Sequence, residues 1–192
     1  MGNATFETIK ELTISLTSRP DLIRQTELAI KTVTAQAHNS DEFPQDKVIV
    51  ELSPVLNQAS GAYELDISAI PFIRHRKILQ LLDTVNNREL THVEATDLFA
   101  EQFSKRTDVY YQAGLQVNII AHGIETLRCV YLQKPDLLPD TYSSWIANER
   151  DDIIAYGAAS VIQDLTGRKE ERDSNRRLFL QGLQELKTNY IT

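Results

Sequence analysis

The segment from Trp145 to Gly167 constrains this chain more than any other, because its apolar residues recur with the spacing of one helix face. The opposite face is polar. Gly157 lies inside the predicted helix, where glycine costs about 1 kcal/mol relative to alanine, so we expect it to permit close approach of another backbone. Gly167 is placed to end the helix in the left-handed conformation. The predicted helix-packing surface consists of Ala155, Gly157, Ala158 and Ala159.

Three further segments have helical spacing. One runs from Thr5 to Leu16, and a second follows Ser18–Asp21, whose residues suit the start of a helix, and ends near His38. A third follows Gly167 and carries its apolar residues on one face. These residues are Phe179, Leu183, Leu186 and Tyr190. The chain is therefore predicted to end in a helical hairpin.

The middle of the chain has the shorter period of β-strands. Lys47–Leu52 and Ala62–Ile67 are short and rich in β-forming residues, and turn residues separate them. Arg74–Leu82 is compatible with a strand or a helix, and its position after two strands favours a strand. The remaining predicted elements are a short helix near 96–103, paired strands at Asp108–Gly114 and Leu115–Ile120, and a last strand at Thr126–Leu132.

This order of elements predicts an α+β fold. The N- and C-terminal helices are expected to form a four-helix bundle, with an inserted, mainly antiparallel β region. The predicted helical bundle covers residues 1–40 and 140–192, and the β-rich region covers residues 45–135. A linker with two prolines, Lys134–Pro139, leads from the last strand to the terminal hairpin.

Composition limits the classes of function. The chain has 192 residues, of which 42% are hydrophobic and 24% are charged, as in ordinary globular proteins. The apolar runs are too short to cross a membrane, and no signal peptide is predicted. The single cysteine, Cys129, is expected to be a small buried hydrophobic residue. The formal net charge of −7 disfavours a protein that recognises DNA sequence, although it permits a surface that DNA passes.

No motif predicts catalysis. The seven glycines form neither of the common nucleotide-binding loops, and no nucleophile-elbow serine motif is present. His92, Glu94 and Asp97 are the nearest approach to a metal-binding cluster, and a solvated loop with a helix cap is the simpler interpretation. We therefore predict no enzyme activity, no catalytic or metal-binding residues and no cofactor.

The densest basic run is a candidate contact patch formed by Arg74, His75, Arg76 and Lys77. One interpretation is a surface for phosphate groups or for an acidic partner. The alternative is a solvated edge strand whose charges block aggregation. Both interpretations stay open at the level of sequence.

Five segments of the second half follow one another in a characteristic order. They are Val109–Gly114, Leu115–Ile120, Leu127–Leu137, Ile146–Ala159 and Phe179–Leu186. They begin with an aromatic segment before a glycine and continue with two strands and a Lys-Pro turn. An Ala-x-Gly-Ala helix and a final helix with Phe and Leu follow. This order resembles the head-to-tail adaptor proteins, also called connector or tail tubular proteins, of tailed and particularly short-tailed bacteriophages. The resemblance covers roughly residues 108–190 and, loosely, the earlier helices and strands.

The resemblance implies a structural virion protein located at the head-to-tail interface and made in the host cytoplasm. Its partners would be the portal protein, eleven further copies of itself in a dodecameric ring, and a tail or nozzle protein. Double-stranded DNA would pass through the ring channel without sequence recognition during genome ejection, and no membrane would be involved. By analogy with the family, the portal-docking residues would be Lys187, Thr188, Asn189, Tyr190, Ile191 and Thr192.

Two alternative functions come from the residues themselves. One is a soluble protein-binding module or assembly chaperone without catalysis, which would use the basic run Arg74–Lys77 as its contact patch. The other is a small metal-dependent hydrolase that would use His92 and Glu94.

Overall fold

The computed structural model describes residues 4–66, 74–97 and 107–191. The chain divides into two compact units. One unit combines Met1–Asp46 with Lys134–Thr192, and we call it the helical unit because it contains the described α-helices. The other is Lys47–Gln133, and we call it the strand unit because it contains the described β-strands.

The helical unit is built around one helix. Its five described α-helices are α1 (Ala4–Thr17), α2 (Ile23–Asn39), α3 (Trp145–Glu149), α4 (Asp151–Leu165) and α5 (Lys169–Tyr190). Single turns of 3-10 helix lie at Pro20–Leu22 and Pro44–Asp46. α1, α2, α3 and α5 each pack against α4. None of the described helices is both long and apolar enough to cross a membrane.

The predicted single helix from Trp145 onward is interrupted at Arg150, whose φ of −144° and ψ of 75° are not helical. The guanidinium group of Arg150 donates two hydrogen bonds to Asp152 in the first turn of α4. The apolar spacing does not reveal this interruption, because Ile146 before it and Ile153 after it are buried in the same core.

The end of α4 confirms the role predicted for Gly167. This glycine has a φ of +74°, in the left-handed region. The backbone N–H of Gly167 donates to the carbonyl oxygen of Asp164, and that of Arg168 donates to Gln163. This pairing is the Schellman motif, which satisfies the last carbonyl groups of a helix.

The core of the helical unit is apolar and contains residues from both segments of the chain. Its buried members include Phe6, Ile9, Ile30, Val33, Ile146, Ile154, Ala158, Ile162, Phe179, Leu183 and Leu186. The four small residues predicted for helix packing are all buried on α4. Helix spacing therefore identified most of the internal face of α4 and α5. At the end of α4 it was wrong, because Leu165 is 66% exposed and Gln163, expected on the polar face, is buried.

The strand unit contains two sheets. One has the order β1-β9-β4-β5, from β1 (Lys47–Leu52), β4 (His75–Asp83), β5 (Arg88–Glu89) and β9 (Leu127–Gln133). The other has the order β2-β3-β8-β7-β6, from β2 (Val55–Leu56), β3 (Tyr63–Asp66), β6 (Thr91–His92), β7 (Asp108–Ala113) and β8 (Gln116–Ala121). Among the described strands, only β6 and β7 pair in parallel. The buried core of the strand unit includes Leu65, Leu81, Val117, Leu127, Cys129 and Tyr131.

The predicted four-helix bundle with one inserted β region is wrong. The described residues form five α-helices arranged around α4, and the β residues form two sheets of four and five strands rather than one region of about five strands. Three of the strands have only two residues each, which is too short for an alternating pattern to be recognised. The predicted strand at Arg74–Leu82 and the predicted pairing of Asp108–Gly114 with Leu115–Ile120 are confirmed. The predicted helix near 96–103 lies outside the described residues from position 98 onward.

Candidate functional site

Three polar residues that are distant in sequence form a buried chain of hydrogen bonds in the helical unit. Nδ1 of His38 lies 2.8 Å from Oδ1 of Asp46, and Nε2 lies 2.9 Å from Oγ of Ser144. Because an ionised carboxylate can only accept, we assign the proton to Nδ1, so that Nε2 accepts from the Ser144 hydroxyl. The order of groups is that of a Ser–His–Asp nucleophile system.

Burial makes this arrangement a structural clasp rather than an active site. The exposed fractions of His38, Asp46 and Ser144 are 2%, 5% and 1%, so a substrate cannot reach the serine hydroxyl. Oγ of Ser144 also accepts the backbone N–H of Ala147 as the N-cap of α3. Oδ1 of Asp46 accepts from Nε1 of Trp145 at 2.9 Å. The clasp, defined as His38, Asp46 and Ser144, therefore joins the end of α2 to the start of α3.

A second buried bond lies near the clasp. The hydroxyl oxygens of Thr34 and Tyr142 are 2.7 Å apart. Burial raises the pKa of Tyr142 above its ordinary value, although hydrogen bonds to Thr34 and Ser144 lower it in part. The Tyr142 hydroxyl is therefore protonated at neutral pH and serves as a hydrogen-bonding group between α2 and the segment before α3.

The sequence pattern does not connect the members of the clasp. It placed His38 only at the end of a helix, and 106 positions separate His38 from Ser144. The one available signal was local: a serine directly before an amphipathic helix is a common N-cap. That signal indicates the capping role of Ser144 but gives no partner for its hydroxyl.

A groove of about 540 Å³ lies between α2 and α5, with α4 as its floor. Gly157 forms part of the floor, where a Cβ atom would overlap with Val33 and lie 3.0 Å from Phe179. Arg172 on the wall pairs with Asp164 at 2.7 Å. Arg176 also lines the groove, and no ion-pair partner is found for it in the described part of the chain. The floor of the groove combines Gly157 and Val161 with the polar residues Ser160 and Asp164, and the wall adds the apolar residues Phe179 and Leu180 together with Arg176.

A different surface of the helical unit presents exposed leucines. Leu12 and Leu16 lie one turn apart on α1, each 38% exposed, and Glu11 beside them is exposed as well. We call Glu11, Leu12 and Leu16 the α1 stripe. The side chain of Gln163 on α4 donates a hydrogen bond to the carbonyl oxygen of Leu16 at 3.5 Å. Gln163 follows Gly157 by six positions, so the two residues are about 240° apart around the axis of α4. The α1 stripe and the groove are therefore on different sides of α4.

The predicted portal-docking residues lie in and just after the last turns of α5. Nζ of Lys187 donates to the carbonyl oxygen of Ser40 at 3.1 Å and pairs with Asp41 at 3.4 Å. Thr188 donates to the carbonyl oxygen of Gln184 within the same helix. Lys187 therefore fastens α5 to the loop after α2.

Tyr190 is also engaged within the helical unit. Its ring packs on Trp145 with centroids 5.5 Å apart, and its hydroxyl donates to the carboxylate of Glu149. Asn189 and Ile191 are exposed, and Thr192 lies outside the described residues. The exposed members of the predicted portal-docking set are therefore Thr188, Asn189 and Ile191.

The predicted basic contact patch lies at the start of β4. His75 and Lys77 pair in register with Gln133 and Leu132 of β9, with an irregularity between them. Arg74, His75, Arg76 and Lys77 each make a further interaction within the chain. The patch therefore consists of residues that already have partners.

The metal-binding alternative involves the end of β6. The ring of His92 lies against Tyr110, with centroids 5.1 Å apart, and the backbone N–H of Asp97 donates to the carbonyl oxygen of Glu94. Within residues 4–66, 74–97 and 107–191, no group of three His, Cys, Asp or Glu side chains is arranged to hold a metal ion.

Cys129 lies in the core of the strand unit and has no exposed surface. Burial raises the pKa of its thiol from 9.0 to about 12, so the thiol carries a proton at neutral pH. A buried, protonated thiol is a poor nucleophile.

The groove and the α1 stripe are thus the candidate functional surfaces of the helical unit. No protein-family model matches this sequence, and no curated protein matches it.

Proposed function

We propose that this protein is a subunit of a head-to-tail adaptor ring in a tailed bacteriophage. In this role it binds below the portal protein, continues the DNA channel and supports the next tail component. The proposal is supported by the resemblance of residues 108–190 to that family. The observation that carries it is the presence of two unlike surfaces, the groove and the α1 stripe, on different sides of α4.

A closed ring of more than two subunits requires two different surfaces on each subunit, because a patch that binds its own copy closes a dimer. The groove offers apolar side chains together with Arg176, and the α1 stripe offers two leucines together with Glu11. The two surfaces are therefore complementary in charge as well as apolar, which favours association in one orientation. In the proposed ring, the α1 stripe of each subunit enters the groove of its neighbour.

The walls of the groove are held firmly against its floor. Gly182 of α5 lies so close to Ile153 of α4 that a Cβ atom would be 2.6 Å from Cγ1 of Ile153. Gly157 provides the same closeness between α4 and α2. Close-packed helices resist deformation, which suits a ring that must keep neighbouring subunits and the portal in register.

The ring is tested with purified protein, alone and mixed with the portal protein of the same bacteriophage. Native mass spectrometry and negative-stain images should show a ring bound to the portal. A chain that stays monomeric in the mixture and never joins the portal would contradict the proposal.

Charge reversal tests the contact between subunits. Arg176→Glu and Glu11→Arg should each abolish ring formation, and the two changes in one chain should restore it, because they exchange the charges of the two surfaces. Arg177→Glu is the matched control, since Arg177 is exposed on α5 but does not line the groove. Lys77→Glu should leave the ring intact, whereas it should abolish partner binding if the chain is a binding module that uses the basic patch.

A further inference from the structure

β1 lies at the edge of the four-stranded sheet, where β9 is its only described neighbour. In the described ranges, no backbone hydrogen bond other than those of the sheet involves Lys47–Leu52. An edge strand presents a row of N–H and C=O groups that another strand can pair with, and proteins usually keep such edges short. β1 is six residues long and therefore offers a full pairing edge.

Lys47, Ile49 and Glu51 share the outer face of β1, because alternate residues of a strand point to the same side. All three are exposed, and Ile49 is 65% exposed. Across the sheet, Glu51 lies opposite Arg128 of β9 and accepts a hydrogen bond from it at 3.0 Å. Lys47 has no ion-pair partner within the described residues. The face therefore has a cation at one end, an apolar residue at the centre and an anion at the other end.

We propose that β1 pairs with β1 of a second copy of this chain, antiparallel and centred on Ile49. In this register the two Ile49 side chains lie opposite each other. Each Lys47 then lies opposite Glu51 of the second copy, because the positions on both sides of Ile49 are exchanged by the two-fold symmetry. The sequence of this outer face is thus complementary to itself.

The continuous sheet formed in this way has three rows of side chains across its outer face, and the neighbours within each row stabilise the pairing. The central row contains Ile49 and its neighbour Val130 from each copy, which is an apolar row of four. On each side of it, Glu51 lies between Arg128 of its own chain and Lys47 of the second copy. Apolar and oppositely charged cross-strand pairs both stabilise a sheet.

The charge pattern also selects this arrangement over the others. Parallel pairing of the two strands in the same register would place Lys47 opposite Lys47 and Glu51 opposite Glu51. A slip of two residues in the antiparallel register would place Ile49 opposite a charged side chain. Like charges directly opposite each other destabilise a sheet, so the two-fold antiparallel register is the favoured one.

This contact joins identical surfaces and therefore closes as a dimer, which distinguishes it from the ring contact. It does not depend on the proposed function. One strand from each copy buries less area than a standard stable interface, so the dimer is weak and depends on protein concentration.

Sedimentation velocity with two single variants tests the proposal. The wild-type protein should shift from monomer towards dimer as its concentration rises. Lys47→Glu alone places Glu opposite Glu, and Glu51→Lys alone places Lys opposite Lys, so each variant should lose the dimer. An equimolar mixture of the two variants should form a heterodimer, because both charged rows then pair Glu with Lys.

Control variants separate this contact from others. Ile49→Lys should abolish the dimer, whereas Lys169→Glu, with the same charge change as Lys47→Glu at an exposed position of α5, should leave it. Arg176→Glu should also leave it, since that residue belongs to the groove. Circular dichroism verifies that each variant is folded. A wild-type chain that is monomeric at all concentrations, or a dimer that persists in both single variants, would overturn the proposal.

Discussion

Gly157 of α4 lies against Val33 of α2 so closely that a Cβ atom on the glycine would overlap with Cγ1 of Val33. Val33 is β-branched, and a β-branched side chain in a helix is largely restricted to one rotamer. The methyl group therefore cannot move aside cheaply. This contact explains why glycine fits the middle of this buried helix, although it lowers the intrinsic stability of the helix.

We expect Gly157→Ala to lower the free energy of unfolding by about 1–3 kcal/mol, because overpacking outweighs the gain of about 1 kcal/mol in helix propensity. Urea denaturation measures this change. Val33→Ala removes the clashing group, so the double variant should be more stable than the sum of the single effects indicates. Additive effects would show that Val33 is not the obstacle. Gly157→Leu should prevent folding or ring closure.

The buried clasp gives a second prediction. Asp46→Ala removes the acceptor of Trp145 Nε1 and the carboxylate beside His38, and we expect it to destabilise the helical unit by about 3 kcal/mol. Thermal unfolding measures the effect, and Asp140→Ala at an exposed position is the control. The folded protein should also resist a serine-directed fluorophosphonate. Labelling of Ser144 in the native state would show that the clasp is a catalytic site.

Asp83, at the turn after β4, gives a third prediction, that the free energy of unfolding falls in acid. The carboxylate of Asp83 is fully buried and accepts hydrogen bonds from the backbone N–H groups of Val85 and Asn86, the side chain of Asn86 and the guanidinium group of Arg88. Burial raises its pKa, but these hydrogen bonds and the charge of Arg88 lower it more, so that the net pKa is below the ordinary 3.8.

Because the pKa of Asp83 is lower in the folded chain, its contribution to stability is present above pH 3.8 and is lost as the pH falls through the folded pKa. Asp83→Asn should destabilise the protein by about 1–3 kcal/mol at neutral pH and flatten the loss of stability in acid. Chemical denaturation at a series of pH values measures both effects. Parallel acid profiles for the wild type and the variant would contradict the assignment.

Cys129 provides a fourth prediction. Its raised pKa of about 12 keeps the thiol protonated, and its burial excludes reagents. Iodoacetamide at mildly alkaline pH should leave the native protein unmodified and should label the guanidinium-unfolded protein completely, as measured by mass spectrometry. Since the folded pKa exceeds the ordinary 9.0, the contribution of Cys129 to stability is present below pH 9.0 and is lost as the pH rises towards the folded value. Rapid labelling without unfolding would contradict the buried position.

Some of the fold could be predicted because its determinants are local. α2 and α5 were predicted from the spacing of their own apolar residues, and both helices are found in the structure. The end of α4 was predicted from Gly167 alone, and this glycine has the expected positive φ. The paired strands β7 and β8, two short runs of β-forming residues joined at Gly114, were recognisable for the same reason. The break at Arg150 was not, because one residue between two helices buried in one core barely alters the apolar pattern.

By itself, the sequence determined most of the helical segments of the helical unit, the small residues on the buried face of α4, and the position where α4 ends, because backbone preferences act over a few residues. The tertiary structure alone decided the rest. It placed Ser144 next to His38 across 106 positions, opened the groove beside Gly157, and left β1 at a sheet edge. These features depend on how separate elements pack together, and packing energies between distant residues leave no periodic signal in a single chain.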